Sequence, residues 1–128
     1  MKYRNLILVE DDQDDQELFL QALENISTEI SCVVFDNASE ALRQIKDRSV
    51  ACDMLFLDLN MPMITGTEFL EELTRSNAGH PPVVILSSSS YPPVVADATR
   101  LGAVGFYTKP SSFHELEKLL ETILHTDY

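Results

Sequence analysis

Short runs of consecutive apolar residues alternate along this chain with longer stretches in which apolar residues recur every three or four positions. Leu6-Ile7-Leu8-Val9 is the first such run. It is too uniformly apolar to face water on one side, so it predicts a strand buried on both faces. Helical spacing follows in Leu18, Phe19, Ala22, Leu23 and Ile26. Ile30 to Phe35 predicts a second strand, centred on Val33 and Val34, and Ser39 to Lys46 a second helix carrying Ala41, Leu42 and Ile45. Met54-Leu55-Phe56-Leu57 is a third strand running straight into Asp58. After the loop Asn60-Met61-Pro62-Met63, Phe69, Leu70 and Leu73 mark a third helix.

Pro81-Pro82 block helix and introduce a fourth strand, Val83-Val84-Ile85-Leu86, which runs into four serines at 87–90. Pro92-Pro93 suit the first turn of a fourth helix. Gly102 suits its C-terminus, and Val104-Gly105-Phe106-Tyr107 reads as a fifth strand. Phe113, Leu116, Leu119, Leu120, Ile123 and Leu124 define the last helix. Strict strand–helix alternation with such apolar strands predicts an α/β fold, a parallel sheet between two helical layers. Right-handed crossovers reduce the topologies to a few. Five strands and five helices favour the doubly wound, flavodoxin-like order 2-1-3-4-5, whose switch point lies between strands one and three.

With 128 residues, 45% of them hydrophobic, the chain fits a single domain over 1–128, and no output domain is expected beside it. The formal net charge of −12 argues against direct nucleic-acid binding and against docking on anionic membranes. No run reaches the roughly 18 apolar residues of a membrane span. The first apolar run is also too short for a signal peptide, so a cytoplasmic protein is expected. Cys32 and Cys52 lack CxxC spacing and read as reduced thiols in or near the core.

The polar residues at the strand ends carry the chemistry. Asp11-Asp12, Asp58, Ser87 and Lys109 each follow or close an apolar run, and ligands of open parallel sheets bind beyond those ends. Asp14, Asp15 and Glu17 read as helix-start charges favoured by the helix dipole. Asp58 reads equally well as a loop cap or as a reactive carboxylate. Ser87 reads as a loop hydroxyl or a phosphate contact, and Lys109 as an extended step before Pro110 or as an inward-facing cation. A cis Lys109–Pro110 bond is left open. Three converging carboxylates repel unless a cation joins them, and an all-oxygen set suits Mg²⁺, with Mn²⁺ as an alternative. Together these groups suit in-line attack of an Asp58 oxygen on phosphorus, with Ser87 and Lys109 holding the phosphoryl oxygens.

The segments ILVEDD (7–12), LFLDLNMP (55–62) with Gly66 beyond, VVILSSS (83–89) and GFYTKP (105–110) resemble, in this order, the receiver domain of bacterial two-component response regulators. The resemblance covers the whole chain and implies phosphoryl transfer from a histidine kinase or phosphotransfer protein to Asp58. It implies Asp12, Asp58 and the backbone carbonyl of Asn60 as direct metal ligands, with Asp11 acting through water. It also implies Ser87 and Phe106 as a switch pair, Lys109 as the phosphate-binding lysine, and Asn60 and Ser89 as residues that tune phosphoryl lifetime. Signalling to a downstream protein target would use the surface of helix four, strand five and helix five. Val94, Val95, Ala96 and Ala98 make that helix apolar enough for a homodimer there. Phe106 departs from a tyrosine in lacking a hydroxyl, and Thr65 stands where an Asp commonly precedes the glycine.

Four other functions compete. A phosphorylation-independent interaction module would keep the fold without the chemistry. A metal-dependent phosphatase would need a DxD nucleophile–acid pair at a strand end, whereas Asp58 is followed by Leu59-Asn60. Nucleotide binding and serine hydrolysis lack GxGxxG, GxxxxGK[ST] and GxSxG.

Overall fold

The computed structural model describes residues 2–59, 66–75, 80–88 and 92–128. Five strands, β1 (Asn5–Val9), β2 (Ser31–Phe35), β3 (Met54–Leu57), β4 (Val83–Ser87) and β5 (Gly105–Thr108), alternate with five helices. These are α1 (Gln13–Ile26), α2 (Ala38–Lys46), α3 (Gly66–Thr74), α4 (Pro92–Arg100) and α5 (Phe113–Leu124). The strands form one parallel sheet in the order β2-β1-β3-β4-β5, as the apolar pattern predicts. β5 begins one residue later than expected, and β4 continues through Ser87.

Alternation along the strands divides the core into two halves. Ile7, Val9, Leu55, Leu57, Val83 and Ile85 face α2, α3 and α4 and pack with Leu42, Phe69, Leu70 and Ala98. Leu6, Leu8, Met54, Phe56, Val84 and Leu86 face α1 and α5 and pack with Phe19, Ala22, Leu23, Leu120 and Ile123. This period of two decides on which side each strand-end residue emerges.

Local signals set the helix ends. Asn37 and Ser112 cap α2 and α5 by accepting the backbone N–H of Glu40 and Glu115. Gly102 ends α4 with φ +104, a conformation glycine adopts without a Cβ clash. Leu18, expected on the buried stripe of α1, is 44% exposed. Phe19, Ala22 and Leu23 form that stripe, and Leu18 lies on its flank. In α4, Ala98 is buried, Val95 half-buried and Ala96 exposed, while the side chain of Val94 lies outside the described residues. Cys32 and Cys52 are free and half-buried, and burial pushes each thiol up to about 12. Among the described residues, no helix is long and apolar enough to cross a membrane.

Phe56 is fully buried at the centre of the sheet and meets Phe19 of α1 edge to face, with ring centroids 5.1 Å apart. Phe56→Ala is expected to lower stability by about 3–5 kcal/mol, through lost burial and a cavity between sheet and helix. Urea unfolding measures this; a loss within a few tenths would contradict the packing described.

Candidate functional site

The register of the parallel sheet brings the strand ends to one edge. Val9 pairs with Leu57, so the residues that follow them, Glu10 and Asp58, leave adjacent strands side by side. The Asp58 N–H donates to the Val9 carbonyl at 3.1 Å, and the Glu10 N–H to the Phe35 carbonyl at 3.0 Å. Leu57 and Val9 point toward α2–α4, so the alternation turns Glu10 and Asp58 toward α1 and α5. Ser87 pairs with Thr108, and the N–H of Lys109 donates to the Ser87 carbonyl at 2.8 Å. Lys109 thereby starts its reach from the end of β5.

Lys109 does reach inward. Its Nζ donates to Glu10 Oε1 at 2.7 Å, Asp15 Oδ2 at 2.9 Å and Asp58 Oδ2 at 3.3 Å. The peptide linking it to Pro110 is trans. Glu10, Asp58 and Ser87 are all buried, so the ammonium lies in a medium where charge–charge interactions are strong. Burial alone would lower its pKa, but hydrogen bonds to Glu10 and Asp15 and the charge of Asp58 hold it above the ordinary lysine range.

Glu10, which the sequence reading leaves without a role beside the pair Asp11-Asp12, lies in this cluster. Carboxylate oxygens of Glu10, Asp11 and Asp58 lie within 4.8 Å of one another, a grouping able to hold a cation. Asp12 is not in it. Its side chain instead caps α1, accepting from the N–H groups of Asp14 and Asp15 at 2.8 and 3.3 Å. Asp12 therefore stands at the helix cap, outside that grouping. The signal that could have separated these residues is the strand phase: Glu10 continues the alternation of β1, whereas Asp12 stands at the helix N-cap.

Asp15 lies in the first turn of α1, as expected, and takes a further role. Its neighbour Asp14 is exposed, as suits a helix-start charge, but the Asp15 carboxylate turns back onto Lys109. Phe106 pairs with Ile85 and packs against the core half that faces α4, while Tyr107 faces α1 and α5. Ser87, two residues beyond Ile85, therefore emerges on the same face of the sheet as Phe106. Asn60 and Ser89 lie outside the described residues.

The fold and site together define a doubly wound α/β domain whose sheet edge gathers carboxylates around the half-buried ammonium of Lys109. A sequence model of the response regulator receiver domain matches residues 6–121, and the chain belongs to that family of two-component signalling modules. It is 35% identical over 119 residues to the glycerol metabolism activator of Pseudomonas putida, covering 88% of this chain and 52% of that protein. It thus spans about half the length of that relative. In structure it resembles the phosphorylated cyanobacterial phytochrome response regulator RcpA, with a TM-score of 0.88, 26% identity, and coverage of 98% and 97% of the two chains. The Mn²⁺-bound form of the response regulator Rcp1 matches with a TM-score of 0.85 at 25% identity, again covering 98% and 97%.

Burial raises the Glu10 carboxyl to about 7; the hydrogen bond from Lys109 opposes this rise, and Asp58 adds to it. A folded-state value above the ordinary 4.5 means that the native protein holds this proton more tightly than the unfolded chain. The resulting stability is complete below about 4.5 and is lost as pH rises through about 7. Without divalent metal, the stability of Glu10→Gln relative to the unsubstituted protein should therefore rise between pH 5 and 8. Urea unfolding across that range checks it; a constant difference would mean that Glu10 is not held up by its surroundings.

Proposed function

We propose that this domain accepts a phosphoryl group on Asp58, in a Mg²⁺-dependent reaction, from a phosphohistidine of a histidine kinase or phosphotransfer protein. The observation that carries this reading is the Lys109 ammonium 3.3 Å from a buried Asp58 carboxylate, at the sheet edge where ligands of this fold bind. An Asp58 oxygen attacks phosphorus in line. The bond from phosphorus to the donor breaks, and its electron pair leaves with the donor. Lys109 and the hydroxyl of Ser87 would hold the phosphoryl oxygens and offset their charge.

Glu10, Asp11 and Asp58 would hold the cation. Their all-oxygen set fits Mg²⁺, or Mn²⁺ in its place, better than a thiophilic metal. Bound there, the cation would offset the charge of the carboxylates and of the incoming phosphoryl group. The Mn²⁺ in the solved structure of Rcp1 and the phosphorylation of RcpA support this assignment by similarity. Lifetime tuning by Asn60 and Ser89, and metal ligation by the Asn60 carbonyl, remain part of the reading carried from the family.

Once Asp58 is modified, Ser87 is drawn toward the phosphoryl oxygens and leaves space on the side it shares with Phe106. Rotation of Phe106 into that space would alter the surface of α4, β5 and α5, where a downstream protein or a second copy of the domain would read the change. This is a two-state element biased by new charge. Without a tyrosine hydroxyl, Phe106 responds through packing alone.

Incubation with a small phosphodonor and Mg²⁺ should add one phosphoryl group to the intact mass, and Asp58→Asn should remove that addition. Label persisting in the variant would defeat the acceptor assignment, and no label in the unsubstituted protein would favour an interaction module that keeps only the fold. For the cation, Asp11→Asn should weaken Mg²⁺ binding at least tenfold, whereas Asp12→Ala should leave it within about twofold and lower stability by about 1 kcal/mol through the lost cap. Titration calorimetry distinguishes the two, and the reverse pattern would restore Asp12 as the ligand.

A further inference from the structure

We propose that Asp15 is a positioning residue for phosphorylation: its carboxylate occupies, in the unmodified domain, the Lys109 donor that an incoming phosphoryl oxygen takes over. An ammonium carries three protons and no acceptor. Here Glu10, Asp15 and Asp58 all lie within hydrogen-bonding distance of it, at 2.7, 2.9 and 3.3 Å. Lys109 cannot hold a phosphoryl oxygen until one of these contacts yields.

The environments of the three carboxylates decide which one yields. The Glu10 side chain is 4% exposed, so it would be left poorly solvated if Lys109 withdrew, and Asp58 is the acceptor, whose own oxygen carries the incoming group. The Asp15 side chain is 41% exposed. Water takes over the solvation of Asp15 as it leaves, so its contact costs least to break. Asp15 also sits in the first turn of α1, directly behind the cap made by Asp12, so its backbone stays fixed while its side chain swings out. Lys109 thus has a replaceable partner that keeps it paired between phosphorylation events and resists each new one.

This inference rests on Asp58 being the phosphoacceptor, so the experiment separates the two claims. Asp14, one residue earlier on the same helix turn, carries the same charge and has its side chain in solvent. Asp14→Asn therefore reproduces the change in net charge and helix-end electrostatics without touching Lys109. Rates of modification by phosphoramidate and Mg²⁺ would be followed by intact mass for the unsubstituted protein, Asp14→Asn, Asp15→Asn and Asp15→Glu. Asp15→Asn should react about fivefold faster than Asp14→Asn, as expected for loss of one partly exposed ion pair. Asp15→Glu should return toward the unsubstituted rate.

Equal rates in the two asparagine variants, or a slower rate in Asp15→Asn, would overturn the role of Asp15 while leaving Asp58 as acceptor. No modification in any of the four proteins would overturn both claims. A second measurement needs no phosphorylation: acylation of Lys109 by an amine-reactive ester, read by peptide mass spectrometry against the surface Lys118. Asp15→Asn should raise the relative labelling of Lys109 several-fold over Asp14→Asn, and unchanged labelling would overturn the restraint itself.

Discussion

One ammonium against several carboxylates is the constraint on which the rest of this structure depends. Lys109 meets Glu10, Asp15 and Asp58 together, and Asp11 adds a fourth carboxylate beside them. A single positive charge cannot balance this set, and two of its members are buried where water cannot screen them. Burial raises Glu10 to about 7, with Asp58 adding to the rise, while hydrogen bonds to Glu10 and Asp15 and the charge of Asp58 hold Lys109 above its ordinary range. The imbalance gives the proposed chemistry its direction, because a divalent cation bound there would complete the charge balance and make room for a phosphoryl group.

The sheet makes this arrangement reproducible. Parallel pairing of β1 with β3 and of β4 with β5 fixes which residues leave the edge side by side, and the period of two fixes the face on which each emerges. Glu10 and Asp58 turn toward α1, where Asp15 approaches. Ser87 and Phe106 turn toward α4. The two groups therefore lie on opposite faces of the same strand ends, with Lys109 and Ser87 joined at the backbone by a 2.8 Å hydrogen bond.

Fold class, strand order and the positions of Asp58, Ser87 and Lys109 were legible in the sequence because each follows an unbroken apolar run. The acidic segment was harder to read. Glu10, Asp11, Asp12, Asp14 and Asp15 are nearly alike as letters, and only the strand-to-helix transition separates them into buried carboxylate, its exposed neighbour, cap, surface charge and lysine partner. Reading the pair as Asp11-Asp12 missed Glu10, which looks like a surface acid until its strand phase is considered. Asp15 was illegible for a different reason: its partner lies 94 positions away, and helix-end propensity already accounts for an acid there. Leu18 failed in the same way, since helical spacing identifies a stripe but not its edge.

The central claim is that this edge is an electrostatically incomplete site which a cation completes. Its most direct test is the thermal unfolding midpoint in Mg²⁺ compared with NaCl at matched ionic strength. A ligand that binds only the folded state raises stability in proportion to the logarithm of its concentration above its dissociation constant. The account predicts a Mg²⁺-specific rise in the midpoint that continues with concentration in this way and is absent in NaCl. An identical midpoint in the two salts would contradict it.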